Sequence, residues 1–342
     1  MPSIYLTRRI MPQAVSELRS SFELTLHDSE SPPPRDEVLS GSVGKDGLLV
    51  MSNDLVDAEL LDTAGPALRV VANYAVGYDN VDLDAATERG VIVTNTPGVL
   101  TRATAELTIA LVLDLLRRIS EGDRLIRART PWLWSPTFML GHGLAGRTLG
   151  VVGLGRIGRE VARLAEAFDM RIVYSSPRLA DGAPYKRLAL DELLETADVV
   201  SLHCPLTDET RHLVDAAALR LMKRTAVLVN TTRGPVVDEG ALVDALREGE
   251  IAGAALDVYE REPDVHQGLL ELENVVLAPH LGSATAEARE AMGMLCVGGL
   301  RAVLLENRCP DNALNPDSWQ ARARASLRSW SRGSRPHWGA RA

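Results

Sequence analysis

Short apolar runs alternate with amphipathic stretches along most of this chain. In residues 1 to about 100, Ile4–Leu6, Leu24–Leu26, Leu48–Met51, Val70–Ala72 and Val91–Val93 are apolar runs of strand length. Segments around Ala14–Leu18, Ala58–Leu61 and Leu83–Thr87 have helical periodicity and lie between them. Ser31-Pro32-Pro33-Pro34 predicts a loop, and Thr94–Gly98 is a strong breaker. A long helix is predicted from Thr101 to about Arg129, with Ala105, Ile109, Val112, Leu113 and Leu116 on one face. Beyond it, Leu149–Val152, Arg171–Tyr174, Asp198–Leu202, Ala226–Asn230, Ala252–Leu256 and Val275–Ala278 are runs suited to buried parallel strands. Helices are expected near Leu190–Glu195, Asp215–Met222 and Glu239–Glu248. Strands that alternate with helices imply parallel sheets. The predicted fold class is therefore α/β, with two doubly wound parallel-sheet domains.

One stretch assigns chemistry to the second domain. Leu149–Val152 runs directly into Gly153-Leu154-Gly155-Arg156-Ile157-Gly158, and Val161, Leu164, Ala165 and Phe168 then mark one helix face. Gly153 permits the tight turn, Gly155 lets a pyrophosphate approach the backbone, and Gly158 lets helix and strand pack closely. Unpaired amides at the helix start, around Arg156 and Ile157, suit a phosphate. With the strand before and the helix after, the glycine pattern predicts a dinucleotide site. The next strand ends in Tyr174-Ser175-Ser176-Pro177-Arg178, without the carboxylate that would hold the ribose 2′-hydroxyl of NAD. Ser175, Ser176 and Arg178 instead offer two hydroxyls and a guanidinium for a 2′-phosphate. The bland alternative is a solvated loop with an incidental Arg. The expected cofactor is NADP(H), with NAD(H) as the second option.

The bulk composition narrows the partners. The 342 residues suggest about two domains, and 46% hydrophobic with 24% charged residues is ordinary for a globular chain. A net charge of −9 argues against a nucleic-acid partner. No apolar run has the length of a membrane span, so no membrane partner is expected. The N-terminus lacks a signal-peptide core. Cys204, Cys296 and Cys309 form no CxxC pair, which argues against a structural metal and fits a cytoplasmic protein.

Candidate catalytic residues stand at strand ends, where ligands lie in open α/β sheets. Arg233 follows the strand ending at Asn230, and its guanidinium can fork onto a carboxylate. Glu262 follows Asp257, and His280 follows the last strand. A carboxylate beside an imidazole favours the imidazolium, so Glu262 is expected to keep His280 proton-loaded. His203-Cys204 is expected to flank the nicotinamide side, with His203 itself read as a core histidine. Thr231, Thr232 and Gly282 lie at neighbouring strand ends on the cofactor side. In the first domain, the amides of Val76 and Gly77 could meet a substrate carboxylate; the alternative is a loop leading into a helix capped by Asp79 or Asn80. Trp132 and Trp134, in a proline-flanked loop, cover a pocket, meet a partner subunit or pack inside, with the interface favoured.

These blocks together resemble the D-isomer-specific 2-hydroxyacid dehydrogenases, in particular the glyoxylate/hydroxypyruvate reductase branch that includes 2-ketogluconate reductases. The likeness spans about residues 3 to 316. It is carried by NYAVGYDNVD, TNTPGVLTRATAEL, GRTLGVVGLGRIGREVA, LHCPLTDETRHLV, NTTRGPVVDEGAL, ALDVYEREP and LAPHLGSAT. The resemblance implies a flavodoxin-like substrate domain made of residues 1–100 and 284–316. A Rossmann cofactor domain, residues 101–283, is inserted in it. Arg233 would bind the substrate carboxylate and polarise the carbonyl, His280 would be the acid/base, and Glu262 would orient it. Val76 and Gly77 fall in the substrate loop, and Asp257 near the nicotinamide carboxamide. A homodimer is implied, with the long helix and the Trp loop at its interface.

The expected reaction is reduction of a small 2-oxo acid, such as glyoxylate, hydroxypyruvate or 2-ketogluconate, to the D-2-hydroxy acid. A phosphite or other D-2-hydroxyacid dehydrogenase is an alternative, as is a non-enzymatic, dinucleotide-sensing corepressor-like relative. The tail, residues 317–342, has six arginines and no acid after Asp317, and is expected to be disordered.

Overall fold

The computed structural model describes residues 1–319. They form two compact units, one of Met1–Val99 with the chain from Ala286 onward, the other Leu100–Thr285.

The first unit is a five-stranded, all-parallel sheet of β1 (Ser3–Leu6), β2 (Glu23–Leu26), β3 (Gly47–Val50), β4 (Val70–Asn73) and β5 (Ile92–Thr94), in the order β2-β1-β3-β4-β5. This is the flavodoxin-like order. Helices α1 (Pro12–Ser21), α2 (Arg35–Ser42), α3 (Ala58–Ala64) and α4 (Leu83–Glu88) connect the strands. The helix α2 is not predicted by the sequence pattern, in which the three prolines before it mark only a loop. Pro34 stands just before its first residue, where a missing N–H costs nothing. The cap of α4 is Asp82, which accepts from the Ala85 amide at 2.8 Å. Asn80 is instead buried and bonds the Met51 and Asp54 carbonyls, so neither expected cap serves. Helix α12 (Ala286–Leu304) lies against β3, β4 and β5. Gly293 lets it approach α1, since a Cβ there would come within 2.6 Å of the Ala14 methyl. Asn315 ties the chain end to β5 by accepting from the Val93 amide at 2.9 Å. Ser318 is buried, so the first residues of the expected tail still belong to this unit. The rest of that tail lies outside the described residues.

The second unit starts with α5 (Thr101–Arg117) and α6 (Ile119–Arg127). The single long helix expected here is broken at Arg118, whose φ of 58° is left-handed. The Asp114 carboxylate accepts from the Ser120 amide at 2.6 Å and from its hydroxyl, capping the new start. Apolar periodicity runs through such a break, so it is not visible as a gap in the pattern.

The sheet contains β6 (Thr148–Val152), β7 (Arg171–Ser175), β8 (Lys186–Arg187), β9 (Val199–Leu202), β10 (Val227–Asn230), β11 (Gly253–Leu256) and β12 (Val275–Leu277). All pairs are parallel, in the order β12-β11-β10-β9-β6-β7-β8. Helices α7 (Arg156–Glu166), α8 (Leu190–Thr196), α9 (Ala216–Leu221), α10 (Glu239–Glu248) and α11 (Gln267–Leu270) complete the winding. Strand order reverses between β6 and β9, the switch point where dinucleotides bind in this architecture. Both faces are covered, one by a core around Leu193, Leu202, Leu228 and Leu242, the other by one around Leu149, Val151, Val161 and Tyr174.

Candidate active site

The glycine turn sits at the carboxyl end of β6. Gly153 has φ +95°, and a Cβ on it would strike the His203 and Cys204 backbone at 2.7 Å. Gly158 packs on the turn itself, since its Cβ would lie 2.3 Å from the Gly153 carbonyl oxygen. A Cβ at Gly155 would meet nothing within 4 Å, so the backbone there faces open space. Arg156 and Ile157 form the first turn of α7, whose amides and positive dipole end face the same opening. The cradle fits a pyrophosphate.

The end of β7 is fastened to this turn. Ser176 Oγ accepts from the Leu154 amide at 2.9 Å. Ser175 is the last residue of β7, half-buried. Arg178 is exposed and makes no hydrogen bond among the described residues. A different guanidinium reaches the loop: Arg187, on β8, donates from Nε to the Ser176 carbonyl at 3.0 Å and from Nη2 to the Pro177 carbonyl at 2.8 Å. A two-residue edge strand has no periodicity, so nothing in the sequence points to Arg187.

Arg233, Glu262 and His280 stand at the carboxyl ends of β10, β11 and β12. Asn230 Nδ2 donates to the Arg233 carbonyl at 2.9 Å and its Oδ1 accepts from the Thr232 amide at 3.1 Å, which shapes the loop. Arg233 Nη1 donates to the Thr232 carbonyl at 2.9 Å. Gly234 is pressed against the next loop: a Cβ there would lie 1.8 Å from the Tyr259 carbonyl carbon. Glu262 Oε1 accepts from the Tyr259 amide at 3.0 Å, and Oε2 meets His280 Nδ1 at 2.8 Å. Burial would raise the Glu262 carboxyl, but the His280 bond and charge, the Tyr259 amide and the Arg233 charge outweigh it and hold it below the usual range. An ionised carboxylate only accepts, so Nδ1 carries the proton and Nε2 is left for chemistry.

His280 has φ 55°, a left-handed conformation uncommon outside glycine. Asp257 holds it there. Its carbonyl accepts from the His280 amide at 2.9 Å, and its buried carboxylate accepts from the Leu281 and Gly282 amides at 2.6 and 2.8 Å. Thr104 Oγ1 donates to the Gly282 carbonyl at 2.9 Å. Thr231 is buried, with its hydroxyl 3.0 Å from that of Thr108. His203 Nε2 lies 2.8 Å from Ser201 Oγ, and burial pushes its imidazole down to about 3, as suits a neutral structural histidine. Burial pushes the Cys204 thiol up to about 11, so it is no nucleophile at neutral pH.

In the first unit, Asn95 Nδ2 donates to the Val76 carbonyl at 2.8 Å and Asn73 Nδ2 to the Gly77 carbonyl at 2.9 Å. The amides of Val76 and Gly77 have no hydrogen-bond partner among the described residues.

Residues 109–282 match the family described as D-isomer specific 2-hydroxyacid dehydrogenase, NAD binding domain. Glyoxylate reductase of Aeropyrum pernix is 47% identical over 325 residues, covering 92% of this chain and 96% of that protein. This chain belongs to the D-isomer-specific 2-hydroxyacid dehydrogenase family. Glyoxylate reductase of Thermococcus litoralis is 45% identical, covering 92% of this chain and 97% of its own. Among solved structures, a Thermus thermophilus protein superposes with a TM-score of 0.87 at 47% identity, covering 91% and 99% of the two chains. An NADPH-dependent glyoxylate/hydroxypyruvate reductase of Sinorhizobium meliloti, in complex with NADP and malonate, has a TM-score of 0.81 at 36% identity, covering 92% and 97%. As a member of this dehydrogenase family, the protein is an oxidoreductase with a nicotinamide-dinucleotide domain. No His, Cys, Asp or Glu cluster among the described residues would hold a metal. No helix among them is long and apolar enough to cross a membrane.

Proposed function

We propose that this protein reduces glyoxylate to glycolate and related larger 2-oxo acids to D-2-hydroxy acids, with NADP(H) preferred over NAD(H). The observation that carries this reading is the Glu262–His280 pair at 2.8 Å, with Arg233 close enough for its charge to depress Glu262. The glyoxylate reductases of Aeropyrum pernix and Thermococcus litoralis support glyoxylate as a substrate. Hydroxypyruvate is supported by the Sinorhizobium meliloti reductase.

A bound dinucleotide would supply the hydride. Gly153, Gly155, Gly158 and the first amides of α7 would hold its pyrophosphate, and Ser175, Ser176 and the neighbouring guanidinium groups would hold the adenosine end. Cys204, Thr231, Thr232, Asp257 and Gly282 are assigned to the nicotinamide side. Arg233 binds the substrate carboxylate and stabilises charge developing on the carbonyl oxygen. His280 gives its Nε2 proton to that oxygen while Glu262 keeps Nδ1 protonated. The free amides of Val76 and Gly77 are read as substrate contacts. On this reading the unit Leu100–Thr285 is the cofactor domain and the other unit the substrate domain.

A homodimer and a cytoplasmic location complete the proposal. The loop after α6 exposes Trp132, Leu133 and Trp134 at 54%, 84% and 74%, a costly surface for a monomer. The decisive assay takes glyoxylate, hydroxypyruvate, pyruvate and 2-ketogluconate, each with NADPH and NADH. Turnover of glyoxylate or hydroxypyruvate with higher kcat/KM for NADPH is expected. Dinucleotide binding without turnover of any 2-oxo acid would overturn the enzymatic reading, and better efficiency with NADH would overturn the cofactor preference.

A further inference from the structure

We propose that Arg187 is the residue that selects the 2′-phosphate of the dinucleotide, a proposal that rests on the NADP preference argued above. The loop Ser175–Arg178 has a built-in difficulty as a phosphate site. Its carbonyl oxygens carry partial negative charge and would repel a dianion. Arg187 neutralises two of them, through the Nε and Nη2 bonds to Ser176 and Pro177. Parallel pairing with β7 sets Arg187 opposite Tyr174, one residue before the loop begins. The Leu188 amide pins that register by donating to the Tyr174 carbonyl at 2.8 Å.

Two donors are then left over on the groups that shape this loop. Nη1 of Arg187 has no partner among the described residues. Ser176 Oγ accepts from the Leu154 amide, and its own proton has no acceptor among the described residues. Two neighbouring cations have partners of their own. Lys186 pairs with Glu192 at 3.5 Å, and Arg159 donates to the Asp181 carbonyl at 2.9 Å. Arg178 is unheld and would have to be ordered before it could help, which costs side-chain entropy. A guanidinium already fixed by two hydrogen bonds loses less on binding a phosphate.

The test compares the wild type with Arg187→Gln, Arg187→Lys and Arg178→Gln. Titration calorimetry measures affinity for 2′,5′-ADP and for 5′-AMP, and kinetics measures kcat/KM with NADPH and NADH. Arg187→Gln should weaken 2′,5′-ADP by about ten- to a hundredfold, the loss usual for bonds to a charged group. It should weaken 5′-AMP at least tenfold less, and lower the NADPH/NADH efficiency ratio in step. Arg187→Lys should fall between, because an ammonium keeps the charge but cannot fork onto both carbonyls. Equal losses on both ligands would make Arg187 a mere prop of the loop and overturn the proposal. So would full retention in Arg187→Gln, or transfer of the whole effect to Arg178→Gln. If the wild type binds 2′,5′-ADP no better than 5′-AMP, the NADP reading fails and takes this proposal with it. If the wild type discriminates and Arg187→Gln still does, the proposal alone fails.

Discussion

At the level of single side chains, the site combines groups that the sequence shows with contacts that it hides. Arg233, Glu262 and His280 are legible because each follows an apolar run by a few residues. What is not legible is how they are held, since the holding groups come from elsewhere in the fold. Asp257 reads as a strand-end residue, yet its carboxylate carries the His280–Gly282 backbone by two amides. Likewise, nothing in the spacing of Gly234 announces that Tyr259 lies against it. Arg233→Ala should lower kcat/KM by about 10²–10³, the loss typical of one oxyanion donor. His280→Ala should remove most turnover, and near-native rates in that variant would rule out His280 as the proton donor. Gly234→Ala must displace the Tyr259–Glu260 backbone. It should lower both the melting temperature and activity, and a wild-type melting curve with normal kinetics would contradict that packing.

At the level of elements, apolar periodicity marks eleven of the twelve strands among the described residues, but not β8, α2, α11 or the break between α5 and α6. Those three elements are too short or too polar for a periodic signal, and the break depends on one left-handed residue. Charge also joins elements. Glu160 on α7 bonds Arg163 on its own helix at 2.7 Å and Arg102 on α5 at 2.9 Å. The Arg163 bond foremost, with burial opposing and the Arg102 bond assisting, brings the Glu160 carboxyl from 4.5 to about 2. Because the folded value is the lower one, its stabilisation is complete above about pH 4.5 and lost as pH falls toward 2. Glu160→Gln should therefore cost about 1 kcal/mol at pH 7 after solvent screening. That corresponds to a melting point lower by about 2–4 °C. The difference should close as the pH approaches 2. A constant difference between pH 7 and pH 3 would show that the ion pairs are not its source.

For the whole molecule, the two-sheet plan was readable because parallel strands buried on both faces are written as continuous apolar runs. The assembly was less so, since Trp residues in a loop suit either an interior or an interface. Their exposure favours the interface, together with Ile119 and Ile126 on α6 at 58% and 56%. Replacing Trp134 with Glu should shift a dimer toward monomer in analytical ultracentrifugation without unfolding either unit. A wild type that sediments as a monomer would remove the case for a dimer.

The split of the first unit also governs how the protein is born. Its sheet strands emerge before residue 100, but the helix that covers β3, β4 and β5 begins at Ala286. At about 5–20 residues per second, a ribosome needs roughly ten to forty seconds to make the intervening segment. During that interval one face of a nascent sheet waits for its cover, while Leu100–Thr285 can already fold. Chaperone occupancy on stalled nascent chains should thus peak before the α12 codons are read, and fall once they have left the tunnel.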